Sequence, residues 1–99
     1  MKRLKWNPTA LDDLQQIAEY LRTQNPATEQ EIMGRLIAKA DQLVLMPRSG
    51  QRRETDPSGA ETRSLLLDKN HRLIYSVAVN DAVTVLQVLD LRSDQDFYR

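Results

Sequence analysis

Two arginines and a late tyrosine stand out as groups that could do chemistry in this chain. Arg72 opens a run of β-branched and aromatic residues from His71 to Val79, and Arg92 closes a second run from Ala82. The turn dipeptide Asn80-Asp81 separates the runs, so the pair is expected to form a β-hairpin. A short tail follows and ends in Phe97-Tyr98-Arg99. Arginines that converge at one end of a sheet, with a tyrosine nearby, would make an anion-handling surface. A plain core hairpin would not need them.

Register decides whether Arg72 and Arg92 can meet, because side chains alternate faces along a strand and a one-residue slip reverses them. With residues of equal parity sharing a face, Leu73, Tyr75, Val77, Val79, Val83, Val85, Leu89 and Leu91 make an apolar face that only Gln87 interrupts. The other face then carries Arg72, Ile74, Ser76, Ala78, Thr84, Leu86, Val88, Asp90 and Arg92. This register buries the most apolar surface and is the expected one. It requires a three-residue turn or a bulge. A plain two-residue turn would send the two arginines to opposite faces.

The rest of the chain supplies the frame. Residues 2–6 suit a short strand. Asn7-Pro8 and Asn25-Pro26 each place an N-cap residue before a proline at the first helical position. Leu11, Leu14, Ile17, Ala18 and Leu21 follow the first signal at helical spacing, with Asp12 and Asp13 early, where the helix dipole favours acid. Ile32, Met33, Leu36, Ile37, Ala40, Leu43 and Val44 follow the second, and Pro47 closes it. The short connection predicts an antiparallel helical hairpin. A short edge strand near Gln51–Thr55 and a strand from Glu61 to Leu67, turned by Asp68-Lys69-Asn70, precede the last hairpin. The expected fold is α+β: an antiparallel sheet of four to five strands with an N-terminal helical hairpin on one face. One domain is expected over 1–99, with the hairpin at about 8–46, the sheet at about 2–6 and 51–92, and a tail at 93–99.

Composition narrows the function. Ninety-nine residues hold one core. Fourteen basic and fourteen acidic side chains balance to zero, which argues against broad attraction to nucleic acid but not against a local basic patch. There is no cysteine, so disulfides and thiolate metal sites are excluded. The single histidine, His71, has no local carboxylate cluster, and neither a metal nor a cofactor is expected. No segment has the length and apolarity of a membrane span, and the N-terminus lacks a signal-peptide core. A soluble cytoplasmic protein is expected.

The sequence resembles the RelE/ParE superfamily of small toxins from bacterial type II toxin–antitoxin modules. The resemblance runs over nearly the whole chain. The first helix, Pro8 to Tyr20, has a ParE-type opening: Ala, then Asp-Leu, then Ile, then Tyr. Met46-Pro47 with Gly50 is similar to the family's break between helix and sheet, and Thr62-Arg63-Ser64-Leu65 and Arg72-Leu73-Ile74-Tyr75 are similar to family strands. Each element is short and degenerate. Their order and the chain length carry the match.

The resemblance implies two activities on one fold. ParE-like members poison DNA gyrase and act as inhibitors. RelE-like members are ribosome-dependent mRNA endonucleases, which would make this chain an enzyme. In the RelE-like reading Arg63, Arg72, Arg92 and Tyr98 would be the catalytic set. Cutting RNA through the ribose 2′-hydroxyl needs a proton acceptor, a donor for the leaving oxygen and cations on the phosphorane. Arg72 and Arg92 would hold the phosphate, Arg63 would add charge, and Tyr98 would stack on a base or assist proton transfer. Leu65 stands where RelE-like chains often carry a lysine, and the neutral charge also departs from that pattern. These departures, the first-helix pattern and the long helical hairpin favour ParE-like poisoning of gyrase. A third reading is a non-toxic antitoxin-binding module. A cognate antitoxin is expected as partner in a hetero-oligomer, laid into an apolar groove on the hairpin or along the sheet. The target is gyrase or the ribosome with its mRNA, with no membrane partner.

Each of these residues also has an ordinary role. Arg72 and Arg92 could be sheet-end charges paired with Asp68 or Asp90, and Arg63 a surface charge. His71 could act as a general base or merely flank a turn. Tyr98 could pack beside Phe97. Arg48, Arg52 and Arg53 form either a solvated loop or a face for nucleic acid or antitoxin. Tyr20, Met33 and Met46 could belong to an exposed partner patch.

Overall fold

The structure is a computed structural model and describes residues 4–92. Strand β1 (Lys5–Trp6) is followed by helices α1 (Pro8–Gln24) and α2 (Pro26–Asp41) and a 3-10 turn (Gln42–Val44). Strands β2 (Gln51–Thr55), β3 (Glu61–Asp68), β4 (His71–Val77) and β5 (Val83–Asp90) complete the described chain. The sheet order is β1-β5-β4-β3-β2, with the helical hairpin packed on one face, so the α+β arrangement expected from the sequence is the one observed. The expectation of a wholly antiparallel sheet is corrected: β1 runs parallel to β5, which makes the sheet mixed. A parallel partner needs a long crossover. Here the whole of the helical hairpin and three strands intervene.

The two Asn-Pro signals act differently. Asn25 is the single extended residue between the helices, and its side-chain oxygen accepts from Ala27 N (3.0 Å) and Thr28 N (3.5 Å). Asn7 makes no side-chain cap, while its backbone N–H donates to Val85 O at 2.9 Å and carries the β1 pairing one residue further. Arg22 and Glu29 bridge the interhelical turn at 3.0 Å, an exposed pairing that adds little.

One line of side chains anchors each helix. Ala10, Ile17 and Leu21 of α1 and Leu36 and Ala40 of α2, with Leu43, bury against Leu73, Tyr75, Val77, Val83, Val85 and Val88 of the sheet. Leu11 and Ile37, counted with the buried stripes in the sequence, lie on the surface. At 100° per residue Leu11 falls a quarter turn away from Ala10, Ile17 and Leu21, and those three are enough to meet the sheet.

The register expected for the last hairpin holds in one half only. Near the turn, Val77 pairs with Val83 and Tyr75 with Val85, so equal parity shares a face. A shift between Ile74 and Tyr75 then pairs Ile74 with Gln87, Leu73 with Val88 and Arg72 with Leu89. The extra residue on β5 is Leu86. The bulge has a physical reason. Without it Gln87 would enter the core, and with it Gln87 faces out and Val88 is buried beside Leu73.

Beyond the two residues of β1, the outer edge of β5 is bare of strand partners, and α1 covers it. Asp13 Oδ2 accepts from Val88 N–H at 2.9 Å. The first turn of α1 holds no acidic residue, so Asp12 and Asp13 lie past the reach of the helix dipole, and this cap is the role of Asp13 instead. Asp13→Ala should lower stability by about 1 kcal/mol, since a backbone donor loses its partner. Urea unfolding monitored by circular dichroism would measure it, and a loss indistinguishable from zero would remove the edge-capping role. Among the described residues no helix is long and apolar enough to cross a membrane.

Candidate functional site

The arginines singled out by sequence separate into three environments. Arg63 pairs across the ladder with Tyr75 and so lies on the helix-side face of the sheet. Its Nε donates to Glu61 Oε1 (2.7 Å), and its Nη1 donates to Gly50 O (2.7 Å) and Arg48 O (3.2 Å). The guanidinium therefore staples the loop before β2 onto the sheet. Arg48 belongs to the same network: it pairs with Asp81 in the β4–β5 turn and lies 3.6 Å from Glu61. The fully buried Tyr75 completes it by accepting from Gly50 N at 3.0 Å.

This network sets proton affinities. The Arg63 hydrogen bond holds the Glu61 carboxyl below its ordinary 4.5, with the charge of Arg63 and then Arg48 adding to it. Burial pushes the Tyr75 hydroxyl up. A carboxylate whose folded value is depressed contributes stability above its unfolded value, and that stability is lost as pH falls through the folded value. Stability should therefore drop below about pH 4.5, and Glu61→Gln should flatten that acid limb. Urea midpoints from pH 7 to pH 3 test this, and an acid limb unchanged in the variant would refute it.

Arg72 and Arg92 do not converge, which corrects the expected shared face. Arg72 projects from the open face of β4 beside Leu66 and Leu89, with no ion pair among the described residues. Arg92 follows the end of β5 on the helix side. Its guanidinium carbon lies 5.2 Å from the ring centroid of Tyr20 on α1, a cation–π contact, and its Nε lies 3.6 Å from Asp90. The Leu86 bulge produces the separation, because it reverses parity between Arg72 and the end of β5. Tyr98 lies outside the described residues.

His71 is buried, with Nδ1 2.9 Å from Asp68 Oδ1. A carboxylate only accepts, so Nδ1 carries the proton in this contact. Among the described residues Nε2 has no hydrogen-bond partner and is closed to solvent, so this imidazole cannot meet a substrate at the surface. Burial would raise the Asp68 carboxyl, but the Asn70 N–H and His71 outweigh it and leave the carboxyl lowered.

The loop basic cluster also divides. Arg48 is committed to carboxylates, whereas Arg52 and Arg53 extend from the exposed strand β2. Beside Arg48 a cavity of about 390 Å³ is lined by Met46, Pro47, Arg48, Ser49 and Asp81. Among the described residues Leu45, Met46 and Val79 are the most exposed large hydrophobic ones, at 86%, 62% and 71%. Met46 and Tyr20 were legible as surface candidates, while Met33 packs on the core. Leu45 and Val79 were not, since periodicity alone continues each apolar run past the point where the chain turns outward.

A family model described as "ParE toxin of type II toxin-antitoxin system, parDE" matches residues 4–95. No curated protein matches the sequence. Among solved structures, one described as "Chromosomal ParDE TA system from P. aeruginosa" superimposes with a TM-score of 0.73 at 18% identity, covering 92% of this chain and 97% of that one. At that identity the likeness speaks to the fold, and the fold is the helical hairpin on a five-stranded sheet described above. The family match spans every element that builds the sheet, the hairpin and the Arg48–Arg63 network, and on it the chain belongs to the ParE toxin family of type II toxin–antitoxin systems.

Proposed function

We propose that this toxin arrests growth by poisoning DNA gyrase and is held inactive in a cytoplasmic hetero-oligomer with its cognate antitoxin. The observation that carries the reading is the ParE family match over residues 4–95. The dispersal of the arginines supports it. A phosphorane needs several cations on one centre, yet Arg63 is spent on Glu61 and two carbonyls, and Arg72 and Arg92 project from opposite sides of the sheet. Inhibition needs no such centre. It needs only a surface that fits the target.

The test is purified protein added to gyrase with supercoiled plasmid and ATP, run beside a translating cell-free extract. Lost supercoiling or trapped cleaved DNA, with the message intact, is the expected result. Intact gyrase activity with message cut only on translating ribosomes would replace this reading with the nuclease one, and Arg72, Arg92 and Tyr98 would then be mutated first. No effect in either assay, with no growth arrest on expression, would leave the binding-module reading.

A further inference from the structure

Met33 and Met46, the methionines among the described residues, lie in opposite surroundings. Met33 is half-buried on α2 and packs against the core. Met46 follows the 3-10 turn, is 62% exposed, and stands next to the still more exposed Leu45. It also lines the cavity beside Arg48, Ser49 and Asp81. A thioether is oxidised without first losing a proton, so access to solvent sets which methionine reacts.

Arg48 is the second feature of that cavity wall. Its Nη1 donates to Asp81 Oδ1, and its Nε lies 3.6 Å from Glu61 Oε2. Nη2 makes no hydrogen bond among the described residues. An oxidisable sulfur and an uncommitted cationic N–H therefore share one wall, two positions apart in the chain. A sulfide accepts only weakly from such a donor. A sulfoxide is polar, and its oxygen gains from a donor that carries charge.

We propose that Met46 is a reversible oxidation site, taking oxygen from a hydroperoxide, and that its sulfoxide turns from the exposed apolar surface onto Arg48. The sulfur attacks the terminal oxygen of the peroxide. An S–O bond forms and the O–O bond breaks. Sulfur gives up two electrons, and the terminal oxygen's proton passes through solvent to the departing oxygen, which leaves as an alcohol or water. Modification and damage differ in where the new oxygen goes. At Met33 it would disrupt the core. At Met46 it stays in water beside a donor, so the fold tolerates it and a reductase can reach it.

The experiment treats the full-length protein with hydrogen peroxide and maps each methionine on its own peptide by mass spectrometry. Met46 should oxidise about ten-fold faster than Met33. The species oxidised at Met46 alone should elute earlier from a hydrophobic-interaction column and keep the wild-type melting temperature. Methionine sulfoxide reductase should return it to the original elution. The Arg48 guanidinium signals in 15N NMR should shift on oxidation of wild type and stay in place in Met46→Leu treated alike. Equal oxidation of Met33 and Met46, a lowered melting temperature, or a sulfoxide that the reductase cannot remove from the folded protein would overturn the site. Unmoved Arg48 signals in protein oxidised at Met46 would overturn the contact with Arg48.

Discussion

Gly50→Ala should cost about 3 kcal/mol of folding stability, at the upper end of the usual range for overpacking a filled site. A Cβ built at Gly50 would sit 2.5 Å from Ser64 O and 2.6 Å from Tyr75 Oη. The first of these is backbone in the middle of β3 and cannot swing aside. The requirement is one of space rather than backbone freedom. Gly50 is where the loop leaving the helices presses against the sheet, held by Tyr75 below and Arg63 beside it. The clash and the hydrogen bond can be separated. Tyr75→Phe removes the hydroxyl that Gly50 N meets and should cost about 1 kcal/mol by itself. The double variant Gly50→Ala/Tyr75→Phe should recover only part of the loss, because the Ser64 carbonyl remains. Urea unfolding of all four proteins closes the cycle. A Gly50→Ala loss below about 1 kcal/mol would show that the loop lifts off freely, and the network around Arg63 would then not be a rigid part of the molecule.

Leu36→Ala should cost about 3 kcal/mol and lower the melting temperature by roughly 15 °C. Leu36 is 1% exposed, and α2 has only Ala40 as a second fully buried anchor, so no neighbouring side chain can collapse into the cavity cheaply. For a domain whose total stability is on the order of 5–10 kcal/mol, that loss makes the helical hairpin the first part to open. Leu36→Met conserves volume and should stay within about 1.5 kcal/mol. Scanning calorimetry distinguishes the two. Similar melting temperatures for Leu36→Ala and wild type would mean that α2 is held by its turn contacts rather than by the core.

Much of the frame was legible because it depends on local chemistry. Asn25-Pro26 marks the break between helices wherever it occurs, since the amide caps the next turn and the proline fixes its own φ. The β-branched runs around Asn80-Asp81 specify a hairpin for similar reasons. Asp81 adopts a left-handed φ of 70°, which Asp tolerates better than most residues. The parallel pairing of β1 with β5 was not legible. It joins residues nearly eighty positions apart, and two residues carry no pattern of their own.

The site divides along the same line. Sequence identified which arginines exist and that some belong to strands. It could not tell which are consumed, because apart from Glu61, two residues from Arg63 on β3, their partners come from other loops and strands: Asp81 and Glu61 for Arg48, and the carbonyls of Arg48 and Gly50 for Arg63. Nor could alternation foresee that one bulged residue, Leu86, would exchange Gln87 for Val88 in the core. Helices, turns and the α+β class follow from short-range propensity and periodicity, and this sequence by itself determined them. Which charges remain free, which edge stays open and on which face each arginine lies were decided only in the tertiary structure, because each depends on the packing of segments distant in the chain.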